Sequence, residues 1–267
     1  MLENINLKRK LSHEDYKRAL PEIQARLFEL EKACWDRGKA SILLFEGWDA
    51  SGKGTAISAI TQRLDPRGFK LYPITAPRTY EQQHPWLWRF WTKVPNRGEM
   101  VIFDRSWYYR VLDERVEKAI PPKAWRDACR DIVDFERALA DDGVVFLKFF
   151  LHISKKEQKA RFKSLEADPL EAWRVTEADW ARHRKYDEYL AATEEMMELT
   201  DTDFAPWTIV EATSKWWARK RIFDAILAEF ERRLGPDAPP HSAIPAASMA
   251  KDAELRAAME SLGQEVA

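Results

Sequence analysis

Cysteine is nearly missing from this 267-residue chain. Cys34 and Cys129 are its whole complement, too few for a disulfide framework or a cysteine-rich metal cluster. No run approaches eighteen apolar residues, which excludes a membrane-spanning helix. The opening MLENINLKRKLSHEDYK lacks the apolar core that a secretory signal requires. Net charge is missing as well: 43 Lys and Arg face 44 Asp and Glu, for a formal charge of −1. A polycation is excluded and general nucleic-acid binding is disfavoured, so any anion site must be built from local charge. The expectation is a cytoplasmic protein with neither a membrane nor a nucleic acid as partner.

What is present is core-forming material. Hydrophobic residues make up 45% and aromatic residues 12%, including twelve tryptophans concentrated in the middle of the chain. This argues against disorder and suits one large domain or two small ones. Leu20, Ile23, Leu27, Leu30 and Cys34 recur at helical spacing within residues 12–37. The continuous apolar run at 40–46 reads as a buried strand, and 69–75, 99–104, 144–153 and 206–212 read as further strands, 144–153 being the strongest strand signal. Helical stretches fall between them, including one from the glycines to Leu64 and a Trp-rich one over 79–94 broken at His84-Pro85. Alternation of this kind predicts an α/β fold with a parallel sheet covered on both faces. No internal repeat is present. The Pro-rich stretch from Gly235 marks a boundary, giving a domain over 1–234 and a flexible tail over 235–267 with a loose helix at 248–262.

The segment Gly47-Trp48-Asp49-Ala50-Ser51-Gly52-Lys53-Gly54-Thr55 fits G-x-x-x-x-G-K between a predicted strand and a predicted helix. Backbone N–H groups there can curl around a phosphate at the positive end of the helix, with Lys53 supplying a point charge. A ligand-free Gly-rich turn is the plainer alternative. Gly54 replaces the Ser or Thr that ordinarily follows the lysine as a magnesium ligand, and Thr55 lies one step out of register. Asp49 inside the loop is a candidate for metal binding or, more simply, for capping backbone amides. A second apolar strand ends in Asp104, Arg105 and Ser106, where a kinase places a metal-orienting carboxylate and where a guanidinium suits phosphate.

The segments GWDASGKG, IFDRSWYYR, KARFKSLEADPLEAWRVTEADW and APWTIVEATSKWWARKR together resemble the polyphosphate kinase 2 family over about residues 12–233. HPWLWRFW, VIFDRSWYYRVLDERVE and KFFLHISKKEQKARF are most similar to its AMP-phosphorylating subgroup. The resemblance implies a P-loop kinase-like three-layer sandwich with a central parallel sheet and a helical lid at about 154–185. It implies Asp49 and Asp104 as the carboxylates for Mg2+, with Mn2+ as a substitute, and Lys53 and Arg105 as holders of the transferring phosphate. Gly47, Ala50, Ser51, Gly52, Gly54 and Thr55 would form the phosphate cradle, and Arg161, Arg174 and Arg182 would meet the phosphate chain from the lid. Tyr109, in SWYYR, stands where the family often has a smaller or polar residue, at a position near acceptor choice.

From Lys148 to Lys185 ten Lys and Arg face six Asp and Glu, a local surplus of four cations. Such a surplus suits a lid closing over phosphates but also a solvated helix face with pairs such as Glu157–Arg161. A second basic set, Arg78, Arg89, Lys93, Arg97, Arg105 and Arg110, is expected near the carboxyl ends of strands two and three. Lys215, Arg219, Lys220 and Arg221 follow the last strand. Most tryptophans are expected in the core or at a homo-oligomer interface, a dimer or tetramer. His84, His152 and His183 show no ligand spacing and read as structural.

The expected activity is therefore magnesium-dependent phosphoryl transfer from inorganic polyphosphate to a nucleoside mono- or diphosphate, first of all AMP to ADP. Phosphorylation of ADP or GDP and an ATP-dependent nucleoside monophosphate kinase stand as alternatives, with a nucleotide-binding module or an inactive paralogue as rivals.

Overall fold

The computed structural model describes residues 2–240; residues 241–267 of the expected tail, with the helix expected at 248–262, lie outside the described residues. Five strands, β1 Ser41–Gly47, β2 Phe69–Pro73, β3 Met100–Asp104, β4 Val145–His152 and β5 Trp207–Glu211, form one parallel sheet in the order β2-β3-β1-β4-β5. All eight β4 residues are buried, as are six of the seven in β1. That is what a parallel strand covered on both faces demands.

Nine α-helices complete the described fold: α1 His13–Asp36, α2 Lys53–Thr61, α3 Trp88–Trp91, α4 Asp113–Val116, α5 Pro122–Asp141, α6 Lys155–Ala167, α7 Glu177–Arg184, α8 Tyr186–Thr200 and α9 Lys215–Leu234. From β1 the chain crosses through α2 to one edge of the sheet; from β3 it crosses through α5 in the opposite direction. Right-handed crossovers therefore place α2 and α5 on opposite faces. Helices α1 and α9 join α2, and α8 joins α5, giving three layers. The reversal of direction falls between β1 and β3, and the loop after β1 lies at that carboxyl edge, where open α/β sheets take ligands.

Helix α1 starts where the sequence predicts: Ser12 caps it by accepting the Asp15 N–H at 3.0 Å, and Ile23, Leu27, Leu30 and Cys34 are buried. The Trp-rich stretch differs. Only a 3-10 turn at Glu81–Gln83 and the four-residue α3 form there. His84 is extended ahead of Pro85, because the ring of a proline disfavours the helical conformation in the residue before it. Helix α2 likewise stops at Thr61, three residues short of Leu64, in a turn closed by Leu64 N–H on Thr61 C=O. Arg97 precedes β3 and pairs with exposed Asp142, so it sits at the amino edge of the sheet rather than the expected carboxyl edge.

Lys148 belongs to β4 and not to the lid, and it is wholly buried. Its ammonium donates to Glu136 Oε2 at 2.9 Å, Tyr108 Oη at 3.0 Å and the Thr200 carbonyl at 2.8 Å. Glu136 Oε1 accepts from Trp107 Nε1 at 2.9 Å and Tyr108 Oη at 2.8 Å. A sheet residue, α5 and the end of α8 are thereby fastened at one point. Glu136→Leu leaves that ammonium buried and unpaired and should cost about 3–5 kcal/mol in urea unfolding, with Lys148→Met/Glu136→Leu costing less than Glu136→Leu alone.

Glu31 on α1 is buried, and only its Oε2 finds a partner, the Asp65 N–H at 3.1 Å. Burial pushes its pKa up to about 7, against the pull of that N–H. The folded state binds this proton more tightly than the unfolded chain does, so stability is lost as pH rises from about 4.5 to 7. Glu31→Gln should therefore raise the Tm more at pH 8 than at pH 5.

Candidate active site

The site grows from the end of β1. Gly47 has φ +130°, and a Cβ there would lie 2.4 Å from the Leu151 carbonyl oxygen of neighbouring β4. Only glycine permits this close approach. Ala50 and Gly52 also take positive φ, +58° and +103°, and curl Asp49–Gly52 into a cradle that opens onto the N-terminus of α2 at Lys53. Trp48 anchors the cradle from behind. Its ring stacks on Tyr186 of α8 at 3.9 Å, and its Nε1 donates to His152 Nδ1 at 2.9 Å. Burial pulls His152 down to about pKa 4. It is a neutral acceptor, and His183 is held by Gln158; both play the structural part expected of them.

Lys53 folds back over the cradle and donates to the carbonyls of Gly47 at 2.8 Å and Trp48 at 3.0 Å. Burial, with Arg105 beside it, lowers its pKa against the opposing pull of Asp49, Asp104 and Glu46. Thr55 Oγ1 is occupied with the Gly52 carbonyl at 2.9 Å.

Asp49 sits between two guanidiniums. Oδ1 accepts from Arg105 Nη2 and Oδ2 from Arg182 Nε, each at 2.6 Å. Burial would raise its pKa, but Arg105, Lys53 and Arg182 outweigh burial and hold the carboxyl below its usual range. Arg105 takes an unusual backbone φ of +61° and reaches Asp113 Oδ1 at 3.1 Å with its other arm. The burial that would weaken its charge is overcome by Asp113, Asp49 and Glu46, which raise its pKa. Behind it, Ser106 Oγ donates to buried Glu46 at 2.7 Å, and burial drives Glu46 to a pKa of about 7. Asp104 lines the same cavity as Lys53, and no hydrogen bond engages its carboxylate among the described residues.

The lid arginines divide into three roles. Arg161 commits all five N–H donors: Nε to Glu157, Nη1 to the carbonyls of Ala50 and Ser51, Nη2 to those of Ala212 and Thr213, at 2.7–3.1 Å. It straps the cradle to the loop after β5. Arg182 reaches in from α7 to Asp49 and also pairs with Asp179. Arg174 is exposed on the rim, paired with Glu171. Arg161 and Arg174 line a cavity of about 600 Å³ whose other charged lining residues are Lys53, Arg105, Lys215, Arg219, Asp49 and Asp104, while Arg182 lines a smaller space on the other side of Asp49 and Arg105. Lys220, by contrast, turns to Asp224. A neighbouring hollow of about 340 Å³, walled by Trp86, Arg89, Trp107, Tyr109 and Arg110, lies just past Arg105 in the chain. The buried Nε atoms of Arg89 and Arg110 have no hydrogen-bond partner among the described residues.

Asp113 and Glu46 are the contributors that sequence reasoning missed. Asp113 reads in sequence as an ordinary helix-start acid and Glu46 as a strand-end one, and only the fold brings them onto Arg105 and Ser106.

A parallel sheet whose central strand runs through a glycine cradle into a helix N-terminus, under an arginine-bearing lid, defines a P-loop kinase-like fold. The family model Polyphosphate kinase 2 (PPK2) matches residues 10–236, and the chain belongs to that family. It is 41% identical over 237 residues to the Polyphosphate:AMP phosphotransferase of Pseudomonas syringae pv. tomato, covering 89% of this chain and 48% of that protein. It is 37% identical over 231 residues to an ADP-polyphosphate phosphotransferase of Pseudomonas aeruginosa, covering 86% and 76%. The crystal structure of Polyphosphate Kinase 2 from Arthrobacter aurescens TC1 superposes with a TM-score of 0.85 at 32% identity, covering 95% of this chain and 93% of that one. The chain spans about half the length of the polyphosphate:AMP phosphotransferases it matches.

Arg161→Lys keeps a charge but has too few donors for four carbonyls and a carboxylate. It should cost about 1.5–3 kcal/mol in urea unfolding and speed amide hydrogen exchange across residues 49–54.

Proposed function

We propose that this chain transfers a phosphoryl group from inorganic polyphosphate to AMP, giving ADP, with magnesium bound. The observation that carries this reading is the cavity in which six cationic side chains converge on a glycine cradle flanked by two aspartates, with no histidine poised as a base. The AMP phosphate is already an anion near neutral pH, so its oxygen needs no deprotonation. It attacks the terminal phosphorus of the chain, the bridging P–O bond breaks, and the polyphosphate leaves one unit shorter. Alignment and charge neutralisation are then the whole task.

In this reading the amides of Asp49–Gly54 and the Lys53 ammonium hold the terminal phosphate, with Arg105 beside it. Lys53 exchanges its two backbone carbonyls for phosphate oxygens. Asp104 is the carboxylate that suits Mg2+, since that cation takes one or two carboxylates plus substrate oxygens and water, and no hydrogen bond competes for it among the described residues. Bound there, the cation would neutralise phosphate charge. Asp49, engaged by both arginines, holds Arg105 and Arg182 over the cradle and would be the second carboxylate available to the cation beside Asp104. Arg161 fixes the cradle's carbonyls outward, and Arg174 meets the phosphate chain at the rim. The neighbouring hollow, with aromatic walls and two unsatisfied guanidinium N–H groups, takes the acceptor nucleotide, with Tyr109 at its edge. ADP or GDP as acceptor is the second reading, supported by the relative named for ADP.

Two finer assignments complete the proposal. The chain acts in the cytoplasm, supported by the lack, among the described residues, of a helix long and apolar enough to cross a membrane. It assembles with copies of itself, supported by exposed Phe28 and Trp35 two turns apart on α1.

Purified protein incubated with magnesium, long-chain polyphosphate and AMP, ADP, GMP or GDP in separate reactions should convert AMP to ADP, followed by chromatography. No product from any acceptor would sink the proposal, and transfer from ATP alone would make the protein a nucleoside monophosphate kinase. Asp104→Asn and Lys53→Ala should each lower turnover by about a hundredfold or more with the Tm preserved, and chelation of magnesium should abolish it.

A further inference from the structure

Arg105 is the one arginine of the described residues that holds a left-handed backbone, with φ +61°. A residue with a side chain keeps that conformation only where its surroundings over-determine it. One restraint comes from the sheet: the Arg105 N–H donates to the Phe45 carbonyl of β1 at 3.0 Å. Another comes from the next residue, since Ser106 Oγ is fastened to Glu46 at 2.7 Å. These contacts fix the backbone. They leave the guanidinium, at the end of a long side chain, to be fixed by something else.

Two carboxylates grip it. Nη2 donates to Asp49 at 2.6 Å and Nη1 to Asp113 at 3.1 Å, which takes two of its five N–H donors. The two acids are not equivalent. Asp49 belongs to the cradle loop, lines the large cavity and also answers Arg182. Asp113 does not line that cavity; it borders the small space on the other side of Arg105, with Glu46, Tyr189 and Arg182. Arg105 is its one ion pair among the described residues. Asp113 stands in the first turn of α4, yet none of that helix's N–H groups donates to its carboxylate among the described residues. The two side chains are 23% and 14% exposed, so water screens the pair only in part.

We propose that Asp113 is a positioning residue for phosphoryl transfer, holding the Arg105 guanidinium in place at the cavity wall from the side away from substrate. This rests on the reading of Arg105 as a holder of the transferring phosphate and adds what keeps it there. Asp49 does not suffice, because it is shared with Arg182 and is available to the cation. Asp113 has no such second task. Five other cationic side chains line the cavity and retain the bound substrates, so a loosened Arg105 costs little in binding. The transition state instead needs a cation at a defined place. Loss of Asp113 therefore falls on kcat and spares KM.

The test measures kcat and KM with magnesium, long-chain polyphosphate and AMP, or with whichever donor and acceptor the wild type uses. Asp113→Ala should lower kcat about tenfold or more, the worth of one hydrogen bond between charged groups, with each KM within about twofold. Arg105 keeps Asp49 in that variant, so the fold should survive, as the Tm reports. Asp113→Asn retains an oxygen for Nη1 and should recover most of the lost turnover. Because Asp113 acts through Arg105, Asp113→Ala should cost less than about twofold further in an Arg105→Ala background. An unchanged kcat in Asp113→Ala, a loss confined to KM, or an undiminished further loss without Arg105 overturns the positioning role and leaves the polyphosphate reading standing. A wild type that turns over no donor overturns both.

Discussion

One carboxylate held between two guanidiniums joins the parts of this protein that have to act together. Asp49 belongs to the loop after β1, Arg105 to the end of β3 and Arg182 to α7 of the lid, so a single side chain sets loop, sheet edge and lid relative to one another. The arrangement depends on all three members. Each arginine is half-buried and would be poorly solvated without the aspartate, and Asp113 steadies the far side of Arg105. Arg161 completes the frame by taking the outward-facing carbonyls of the same loop. From α6, Gln158 takes the Asp49 carbonyl and Arg161 those of Ala50 and Ser51, while Lys53 takes the Gly47 and Trp48 carbonyls from within the loop.

Much of this was legible before any coordinates. A parallel sheet needs strands buried on both faces, and β1, β3 and β4 announce that need as largely apolar runs. The cradle announces itself because G-x-x-x-x-G-K follows one such run and precedes a helix. Features defined by distance rather than spacing stayed hidden. Nothing in KARF distinguishes an arginine that touches phosphate from one whose five donors are spent on carbonyls. Lys148 counts as a lid cation in sequence, yet its place in β4 makes it part of the core. The aromatic stretch from 79 to 94 suggested a helix by composition, but its rings pack separately around Pro85 against Trp107, Asp131 and Phe135.

The neutral total charge acquires its meaning from this geometry. Acids and bases balance over the chain but not over space. Several surface cations are matched within one helical turn, as in Lys32–Asp36, Lys220–Asp224 and Arg232–Glu229, and such pairs cancel beyond a Debye length. Around the cavity six cationic side chains share a lining with two carboxylates, so positive charge is in local surplus there. The neutral total thus conceals a local surplus of positive charge.

Lys53 shows how the loop's own backbone holds the charge of the site. Its ammonium donates to two carbonyls of its own loop, those of Gly47 and Trp48. Any anion that draws it away must offer more than those two oxygens do. A lone monovalent ion of the kind abundant in salt solution offers one diffuse charge and little geometry, whereas a phosphate end offers several localised oxygens at once. That contact therefore favours a group with several localised oxygens over one with a single diffuse charge.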